Sequence, residues 1–461
     1  MKTRYFSLLL LCAIGIVFAS CQHEEDDIFN KRAADRLNEA SDLYSARLKA
    51  SPNGWAMQYY PTYQDEYPYG NGYLILMVFN DNNSVDVAMN NEFTRNTYKV
   101  ATSLWEVITD NGPVLSFNSY NECMHAFSDP EDIPWTGTVD EPNSETGEGC
   151  GGDYEFIIVD APEDASYLML KGKKRGTYNL LTPVEVGVEF SSYLEDVQAF
   201  HAHMFPANYP SYNVIHYGDD LYKMEGADDG LPNIYPYDGD AITDESFNPF
   251  LITKRGDQYY LRFRDAKTSA DGASVQDYCY NVEQDRFISV ENENYYIEGS
   301  SAFQFFTSVI EGGIRRWEWY PESDMSPEYK TYFDNIVSEF AEVDYTTSYN
   351  YAPKSLQWRV NGEDLLFRIE YTYQQKTGKK TATADYIFTM QKEDNSVVFK
   401  FKEDANQIST NLKGNIPSIQ SMINLLEGKW MLNGGETNFD LRTIKLKSES
   451  NPNIWYNVSL I

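Results

Sequence analysis

SPNGWAMQYY, residues 51–60, is the stretch that decides the fold, because a helix ends in it and the first strand begins in it. Between residues 27 and 49, apolar residues recur at three- and four-residue spacing, which is typical of an amphipathic helix. The Pro52-Asn53-Gly54 cluster cannot continue that helix. From Trp55 onward, short segments of β-forming residues alternate with turn residues. The stretch therefore predicts one helix followed by antiparallel β-structure.

Nine such segments lie between Trp55 and Val184, separated by turns such as Asn80-Asp81-Asn82-Asn83. Their sequences are WAMQYY, GYLILMVF, SVDVAM, TYKVA, SLWEVI, PVLSF, DYEFIIV, SYLMLKG and TYNLLTPV. Short, regularly spaced strands of this kind are typical of antiparallel all-β folds. The N-terminal half is therefore predicted to be an antiparallel lipocalin-like barrel or a strongly curved sheet.

The second half of the chain predicts a mixed, β-rich structure with a few helices. Helical patterns cover residues 190–205, the stretch from Met325 and residues 416–427, whereas 206–300 is rich in loops with short strands. Trp317 and Trp319 share one face of an extended segment, and we expect them to be packed in a core. The fold class is thus mainly β, or α+β overall, with domains at 28–190 and 191–461.

The charge of the chain limits its partners. Its 461 residues include 70 acidic and 37 basic residues, for a net charge of −33. Such a surface repels phosphate backbones, so we expect no nucleic-acid partner. It equally disfavours docking onto anionic lipid by charge alone, and solubility is the simplest explanation of the acidity.

The first residues have the pattern of an export signal. Lys2 and Arg4 precede a predominantly apolar run of 13 residues from Phe6 to Phe18, which is too short for a bilayer-spanning helix, since such a helix needs about 20. The small residues before Cys21 make residues 1–20 similar to the signal peptide of a bacterial lipoprotein, in which the cysteine carries the lipid (palmitate or another acyl chain). Several acyl chains on one residue are enough for stable membrane anchoring.

The acids Glu24 to Asp27 follow Cys21 after only two intervening residues, Gln22 and His23. They resemble the tract that directs the lipoproteins of certain Gram-negative anaerobes to the outside of the outer membrane. A solvated tether, residues 21–27, is the alternative interpretation. The sequence thus predicts a lipid-anchored outer-membrane protein that is exposed on the cell surface.

Cysteine and histidine give few candidate sites. With Cys21 lipidated, Cys123, Cys150 and Cys279 remain in the mature chain; the sequence allows a Cys123–Cys150 bridge, with independent thiols as the alternative. His201 and His203 would share a face on a strand, but their neighbours indicate a helix, on which the two diverge. No metal ligands are therefore predicted.

Catalytic motifs are missing from the sequence. It contains no G-x-S-x-G elbow, no phosphate-binding glycine loop and no HExxH motif. A pair of carboxylates for glycoside hydrolysis can be chosen from 70 acids in many ways, and no motif selects one. The sequence therefore favours a protein that is not an enzyme and that needs no cofactor. Calcium is the most reasonable ion, in the loops at residues 80–86 and 237–240, but neither completes an EF-hand, and hairpin turns are the preferred interpretation.

Aromatic residues in loops are the candidate ligand contacts. Trp135 lies in an acidic loop from residue 128 to 152, and Tyr63, Tyr67 and Tyr69 lie in an earlier loop. Flat rings on a rigid β-scaffold can cover the apolar face of a sugar. Alternatively, these rings fold back over the end of the barrel. The basic turn from Lys171 to Arg175 could meet an acidic ligand, although a solvated hairpin turn is favoured.

Residues 36–61, RLNEASDLYSARLKASPNGWAMQYYP, resemble the start of a known family, as do the later pieces GYLILMVF, GGDYEFIIVD and LKGKKRGTYNLLTP. The family is a group of surface lipoproteins of gut Gram-negative anaerobes known as domain of unknown function 4302. The resemblance extends to about residue 190 and implies no chemistry, because the family has no established activity. Members are typically encoded near outer-membrane importers, which implies nutrient capture.

The sequence therefore predicts a non-catalytic binding or accessory module that takes up glycans or glycopeptides. A hydrolase with an unassigned pair of carboxylates is one alternative. An assembly partner of an outer-membrane importer or a peptidase is another.

Overall fold

The structure is a computed structural model. It describes residues 33–461 except for 63–69, 111, 130–136, 139–140, 143–149, 208–211, 240–246, 269–271, 273, 314 and 344–349. Six α-helices in the described part are α1 Ala33–Leu48, α2 Phe190–Met204, α3 Ala302–Gly312, α4 Pro327–Glu342, α5 Gln407–Asn415 and α6 Ser418–Leu426. Among these residues, no helix has the length and apolar character needed to cross a membrane.

The strands fall into three large sheets and one short hairpin. The first sheet contains β1 Trp55–Tyr59, β2 Tyr73–Phe79, β3 Ser84–Met89, β4 Lys99–Leu104, β5 Glu106–Thr109, β6 Pro113–Ser116, β9 Glu155–Asp160, β10 Leu168–Gly172 and β11 Tyr178–Pro183; the hairpin is β7 Gly137–Thr138 and β8 Glu141–Pro142. The second contains β12 Asn213–Tyr217, β13 Asp220–Glu225, β14 Asn233–Pro236, β15 Phe250–Arg255, β16 Gln258–Thr268, β17 Ser274–Asn281, β18 Arg286–Ser289 and β19 Tyr295–Glu298. The third contains β20 Trp317–Trp319, β21 Ala352–Asn361, β22 Asp364–Gln375, β23 Gly378–Glu393, β24 Ser396–Asp404, β25 Gly428–Gly434, β26 Thr443–Ser448 and β27 Trp455–Leu460.

The first sheet is antiparallel and curls almost into a barrel. Its strand order is β4-β3-β2-β1-β11-β10-β9-β6-β5, so β4 and β5 are its two edges. These edge strands are nevertheless joined by a single residue, Trp105, which requires the sheet to bend until its edges come close. The prediction of a barrel or a curved sheet in the N-terminal half is confirmed.

The turn at residues 51–54 connects three parts of this sheet. The indole of Trp55 donates to the carbonyl of Leu48 at the end of α1, at 2.6 Å. The side-chain amide of Asn53 donates to the carbonyls of Glu185 and Val188, in the segment that leads into α2. Gly54 has a left-handed backbone, with φ of 76°, and its carbonyl accepts from the amide of Val184. The helix end, the first strand and the last strand therefore meet at one turn.

Strand β1 is buried on both faces, which explains why its sequence lacks a polar alternation. Trp55, Met57 and Tyr59 point into the curled sheet, together with Leu48 of α1. Ala56, on the opposite face, packs with residues of α2. A small side chain at this position lets the helix approach the sheet closely.

The second sheet lies on the other side of α2. It has the order β14-β13-β12-β19-β18-β17-β16-β15, and its inward side chains, such as Ile215 and Phe287, share a core with Leu194 and Val197 of α2. Helix α2 thus shares one core with both sheets, and β2 of the first sheet also contacts β15 of the second. Residues 206–300 form far more sheet than their sequence indicates.

The third sheet closes into an eight-stranded barrel, because β20 pairs with β27 as well as with β21. Trp317 and Trp319 are fully buried, so the prediction that they are packed in a core is confirmed. Their core also contains Phe333 of α4 and Met422 of α6. The barrel and these helices therefore form one hydrophobic unit.

The barrel is joined to the second sheet by the loop between β25 and β26. Asn438 donates its backbone amide, and Thr437 its hydroxyl, to the carboxylate of Asp285 at the β17–β18 turn. Phe439, in the same loop, is buried against Phe205, Phe287 and Tyr280, with ring centroids 5.5–6.3 Å away. The barrel thus contributes one aromatic ring to the core around α2. The predicted division into domains at residue 190 stays a prediction.

Candidate functional site

A cavity of about 330 Å³ lies where the first sheet, α2 and the second sheet meet. Its walls come from β2, from the short turn Glu92–Thr94, from α2, from the turn at residues 227–230 and from β15. Pockets of small-molecule size, roughly 300–1,000 Å³, are frequent at junctions of this kind. This cavity is therefore the candidate functional site.

The bottom of the cavity is apolar. The residues that line it there are Leu74, Leu194, Val197, Phe205, Phe250 and Ile252. The rings of Phe205 and Phe250 meet edge to face, with centroids 5.3 Å apart, and both side chains are buried. Because packing holds these rings in place, the bottom of the cavity is a preformed apolar surface.

The mouth of the cavity is polar. Gln198, Ala202, Asp228 and Asp229 line it and are exposed to solvent, and Asn71 and Glu92 are half-buried. Amide groups both donate and accept hydrogen bonds, whereas ionised carboxylates only accept them. The cavity thus combines an apolar bottom with a rim that can bond hydroxyl and amino groups.

Gln198 and Asn90 join the first sheet to α2 at this rim. The side-chain amide of Gln198 donates to the backbone carbonyl of Asn90 at 2.6 Å. In the reverse direction, the Asn90 side chain donates to Gln198 Oε1 at 3.3 Å. This reciprocal pair bridges the two layers and fixes the distance between them.

His201 forms part of the wall between α2 and the second sheet. Its Nε2 donates to the carbonyl of Ala227 at 3.0 Å, and its ring stacks on Phe250 with centroids 5.5 Å apart. Burial lowers the pKa of His201, so the imidazole is neutral at neutral pH. The ring therefore contributes no positive charge to the cavity.

Two carboxylates of the rim are held in place by donors from the protein. Glu92 Oε1 accepts from the hydroxyl of Tyr73 at 2.7 Å, and Asp229 Oδ1 accepts from the amide of Leu231 at 2.9 Å. Burial raises the pKa of Asp229 above its usual value. Both carboxyl groups are thus held in a defined orientation at the rim.

The part of the chain that contributes most of the cavity lining matches a known protein family. Residues 25–230 match the family described as "Domain of unknown function (DUF4302)". The N-terminal half of the chain is similar to DUF4302 over these residues. The resemblance predicted from the sequence is thereby confirmed. Within the cavity, only Phe250, Leu251 and Ile252 lie beyond the DUF4302 region among the described lining residues.

Other comparisons add no functional information. No curated protein matches the chain. A protein from Eubacterium rectale, provisionally described as a DNA polymerase III beta subunit, is 9% identical, with 92% of this chain and 98% of that chain covered and a TM-score of 0.12. A DNA polymerase sliding clamp from Pseudomonas aeruginosa is 8% identical, with 93% and 97% covered and the same TM-score of 0.12. Scores this low carry no argument about fold or function.

Several residues predicted from the sequence lie outside the described part of the chain. They are Cys21, Tyr63, Tyr67, Tyr69 and Trp135. The three tyrosines belong to the DUF4302 region, and their segment ends just before Asn71 and Gly72, which line the cavity. Their role as ligand contacts stays a prediction.

The histidine pair separates, as expected for a helix. His201 and His203 both lie on α2, but His203 is exposed and its Nε2 is 3.8 Å from Glu436 of the barrel. In the described part of the chain, no three side chains of His, Cys, Asp or Glu converge in a way that could hold a metal ion. The cavity position of His201 could not be predicted from the sequence, because its contacts with Ala227 and Phe250 join residues far apart in the chain.

The two cysteines of the DUF4302 region are buried, and no disulfide bond joins Cys123 to Cys150 in the described structure. Both pack in the core of the first sheet. Burial raises the pKa of the Cys123 thiol to about 11. The bridge that the sequence allowed is therefore not formed, and Cys123 stays a protonated thiol at neutral pH.

The basic turn and the first calcium candidate are both hairpin turns. The carboxylate of Asp153 accepts from the backbone amides of Lys174 and Arg175, at 2.7 and 2.8 Å, so it closes the β10–β11 turn from within the protein. Residues 80–83 form the β2–β3 turn, in which the side chain of Asn80 donates to Asp86. Of the second calcium candidate, residues 237–239 are described and Asp240 is not.

Proposed function

We propose that this protein is a lipid-anchored, surface-exposed lipoprotein of the outer membrane that captures a glycan or glycopeptide as a binding module in nutrient uptake. The observation that carries the binding role is the preformed cavity between the first sheet, α2 and the second sheet. Its place at a junction of two sheets, and its size, support a ligand site.

The lining of the cavity supports a sugar-containing ligand. A sugar ring has apolar C–H faces and a rim of hydroxyl groups. The rings of Phe205 and Phe250 offer an apolar surface at the bottom, and Asn71 and Gln198 offer amides at the mouth. The loop aromatics predicted from the sequence, such as Tyr67 and Trp135, would add contacts of the same kind if they reach the ligand.

Blocking the cavity tests the binding role. We expect Ala202→Trp to abolish binding to the ligands that the wild-type protein selects from a glycan and glycopeptide panel, because Ala202 is an exposed helix residue on the cavity wall. Ala199→Trp is the matched control, since Ala199 is also exposed on α2 but does not line the cavity. Binding is measured on the panel and then by calorimetry. No binding by the wild-type protein, or equal loss in both variants, would contradict the proposal.

The lipid anchor is tested separately. We expect Cys21→Ser to move the protein from the membrane fraction to the soluble fraction and to abolish incorporation of a labelled fatty acid, since Cys12, the other cysteine of the signal pattern, lies within the part that is cleaved off. Cys279→Ser, which also removes one thiol, should change neither result. Protease treatment of intact cells tests exposure on the surface. Incorporation of the fatty acid by the Cys21→Ser protein would contradict the assignment of Cys21 as the lipid attachment site.

A hydrolase is the second candidate, favoured by one observation. The cavity holds the carboxyl groups of Glu92, Asp228 and Asp229, and burial raises the pKa of Asp229, as a general acid requires. Turnover of a panel ligand by the wild-type protein that is lost in Asp229→Asn would establish this candidate. Binding without turnover would leave the binding module as the function.

A further inference from the structure

Within its described lining, the cavity carries negative charge without a lysine or arginine to compensate it. Glu92, Asp228 and Asp229 line its mouth, and the described lining contains no lysine or arginine. His201, the remaining basic group of the described wall, is half-buried and donates to a backbone carbonyl. The net charge of the whole chain, −33, has the same sign. The field at the mouth therefore attracts cations and repels anions.

The three carboxylates are placed for contact with a ligand. Asp228 and Asp229 are exposed at one side of the mouth, on the turn before β14. Glu92 lies at the opposite wall, where the hydroxyl of Tyr73 fixes its Oε1. A carboxylate that accepts from a charged donor forms a shorter and stronger hydrogen bond than one that accepts from a neutral donor. A donor group in the mouth would thus meet acceptors from both the first and the second sheet.

The apolar interior of the cavity determines which chemical groups the uncharged part of the ligand carries. Below the carboxylates, the walls are formed by Leu194, Val197, Phe205 and Phe250, which offer no hydrogen bonds from their side chains. A small hydrated metal ion would gain nothing from this surface, whereas a ligand with C–H groups would bury them there. The cavity therefore has a charged end and an apolar end.

We infer that the cavity binds a ligand with a protonated primary amine on a partly apolar body, such as an amino sugar with a free amine or the amino terminus of a glycopeptide. This inference rests on the proposed function, in that it takes the cavity as the ligand site. It adds the charge of the ligand: neutral sugars bind more weakly, and acidic sugars are excluded.

Three tetrasaccharide probes, one cationic, one neutral and one anionic, test the inference. They are a glucosamine tetrasaccharide with free amines, the same tetrasaccharide fully N-acetylated, and a tetrasaccharide of uronic acids, each titrated into the full mature chain by calorimetry. We expect the free-amine probe to bind at least about tenfold more tightly than the acetylated one, as is ordinary for a charged hydrogen bond. The uronic probe should not bind. Added salt should weaken only the free-amine probe.

A pair of matched double variants connects the preference to the cavity. Asp228→Asn with Asp229→Asn should lower the affinity for the free-amine probe about tenfold and leave the acetylated probe unchanged; asparagine keeps the acceptor that Leu231 uses. Asp219→Asn with Asp220→Asn removes the same charge from an exposed acidic pair outside the cavity and should change neither affinity. Thermal unfolding of each variant checks the fold.

The outcomes separate this inference from the proposed function. Equal binding of the free-amine and acetylated probes, abolished by Ala202→Trp, would overturn the amine preference and leave the binding module intact. Equal effects of the two double variants would overturn it as well, because the preference would then come from the overall charge. No binding of any of the three probes, together with an empty glycan and glycopeptide panel, would overturn both.

Discussion

Replacing Trp358 with alanine will lower the free energy of unfolding of the barrel by about 3–5 kcal/mol, the range for a large aromatic residue removed from a core. The side chain is fully buried, and its ring stacks on Phe399 with centroids 4.3 Å apart. Its indole also donates to the hydroxyl of Tyr456 at 3.0 Å. The variant leaves a cavity and also leaves the buried Tyr456 hydroxyl without this donor.

Urea unfolding followed by far-ultraviolet circular dichroism measures the effect without relying on tryptophan fluorescence. Trp455→Ala is the matched control, because Trp455 lies on β27 and is only half-buried. The Nζ atom of Lys445 lies 4.5 Å from the centroid of its ring. We expect a loss of no more than about 1 kcal/mol for the control. Similar losses of unfolding free energy in both variants would show that the burial and the contacts of Trp358 do not stabilise the barrel more than those of Trp455.

Gly54→Ala will destabilise the protein by roughly 2–4 kcal/mol, since it combines backbone strain with overpacking. Gly54 has a φ of 76°, which L-residues rarely adopt, and a Cβ there would overlap the carbonyl oxygen of Met77 and a methyl of Val78. The turn that joins α1, β1 and β11 would have to shift to make room.

Gly226→Ala separates the two causes. Its φ is 69°, nearly that of Gly54, but an added Cβ would have no heavy atom within 4 Å. We expect this control to cost only the backbone term, about 1 kcal/mol. Denaturant midpoints of the two variants provide the comparison. Equal stability of the Gly54→Ala and Gly226→Ala proteins would mean that β2 moves away from the added methyl group at no cost in free energy.

The first sheet could be predicted from the sequence because its signals are local. Each strand is bounded by a turn that can be recognised in the chain, as at Asn80 to Asn83, and neighbouring strands mostly pair. The same applies to α2, which the apolar spacing of residues 190–205 predicted almost to the residue. Local patterns of this type depend on a few adjacent side chains.

The closure of the barrel and the second sheet could not be predicted in this way. Trp317 pairs with Leu460, and nothing near either residue identifies the other. In the second sheet, strands such as β17 carry Tyr278 on the buried face and Asp277 and Cys279 on the other, a pattern that resembles a polar loop. Long-range pairing decides these elements, and a single sequence does not encode it in a readable form.

The cavity was missed for the same reason. Its lining residues lie between Asn71 and Ile252 in the chain and form no sequence motif. An apolar pocket is lined by the same residue types as a hydrophobic core, so the sequence pattern does not distinguish the two. The sequence drew attention to His201 as a metal candidate and to Tyr67 as a loop aromatic. Of these, His201 lies in the wall of the cavity as a neutral hydrogen-bond donor.

The buried ring of Phe439 has a consequence for motion. Phe439 extends from the barrel into the core beneath α2, where it contacts Phe205, and Phe205 also lines the cavity. Swinging the barrel away from the second sheet would expose this ring, at a cost of roughly 1.5–3 kcal/mol, and would break the bonds to Asp285. Residues 299–301, which connect the second sheet to the barrel unit, therefore do not act as a free hinge. The barrel instead supports the wall of the cavity that contains Phe205.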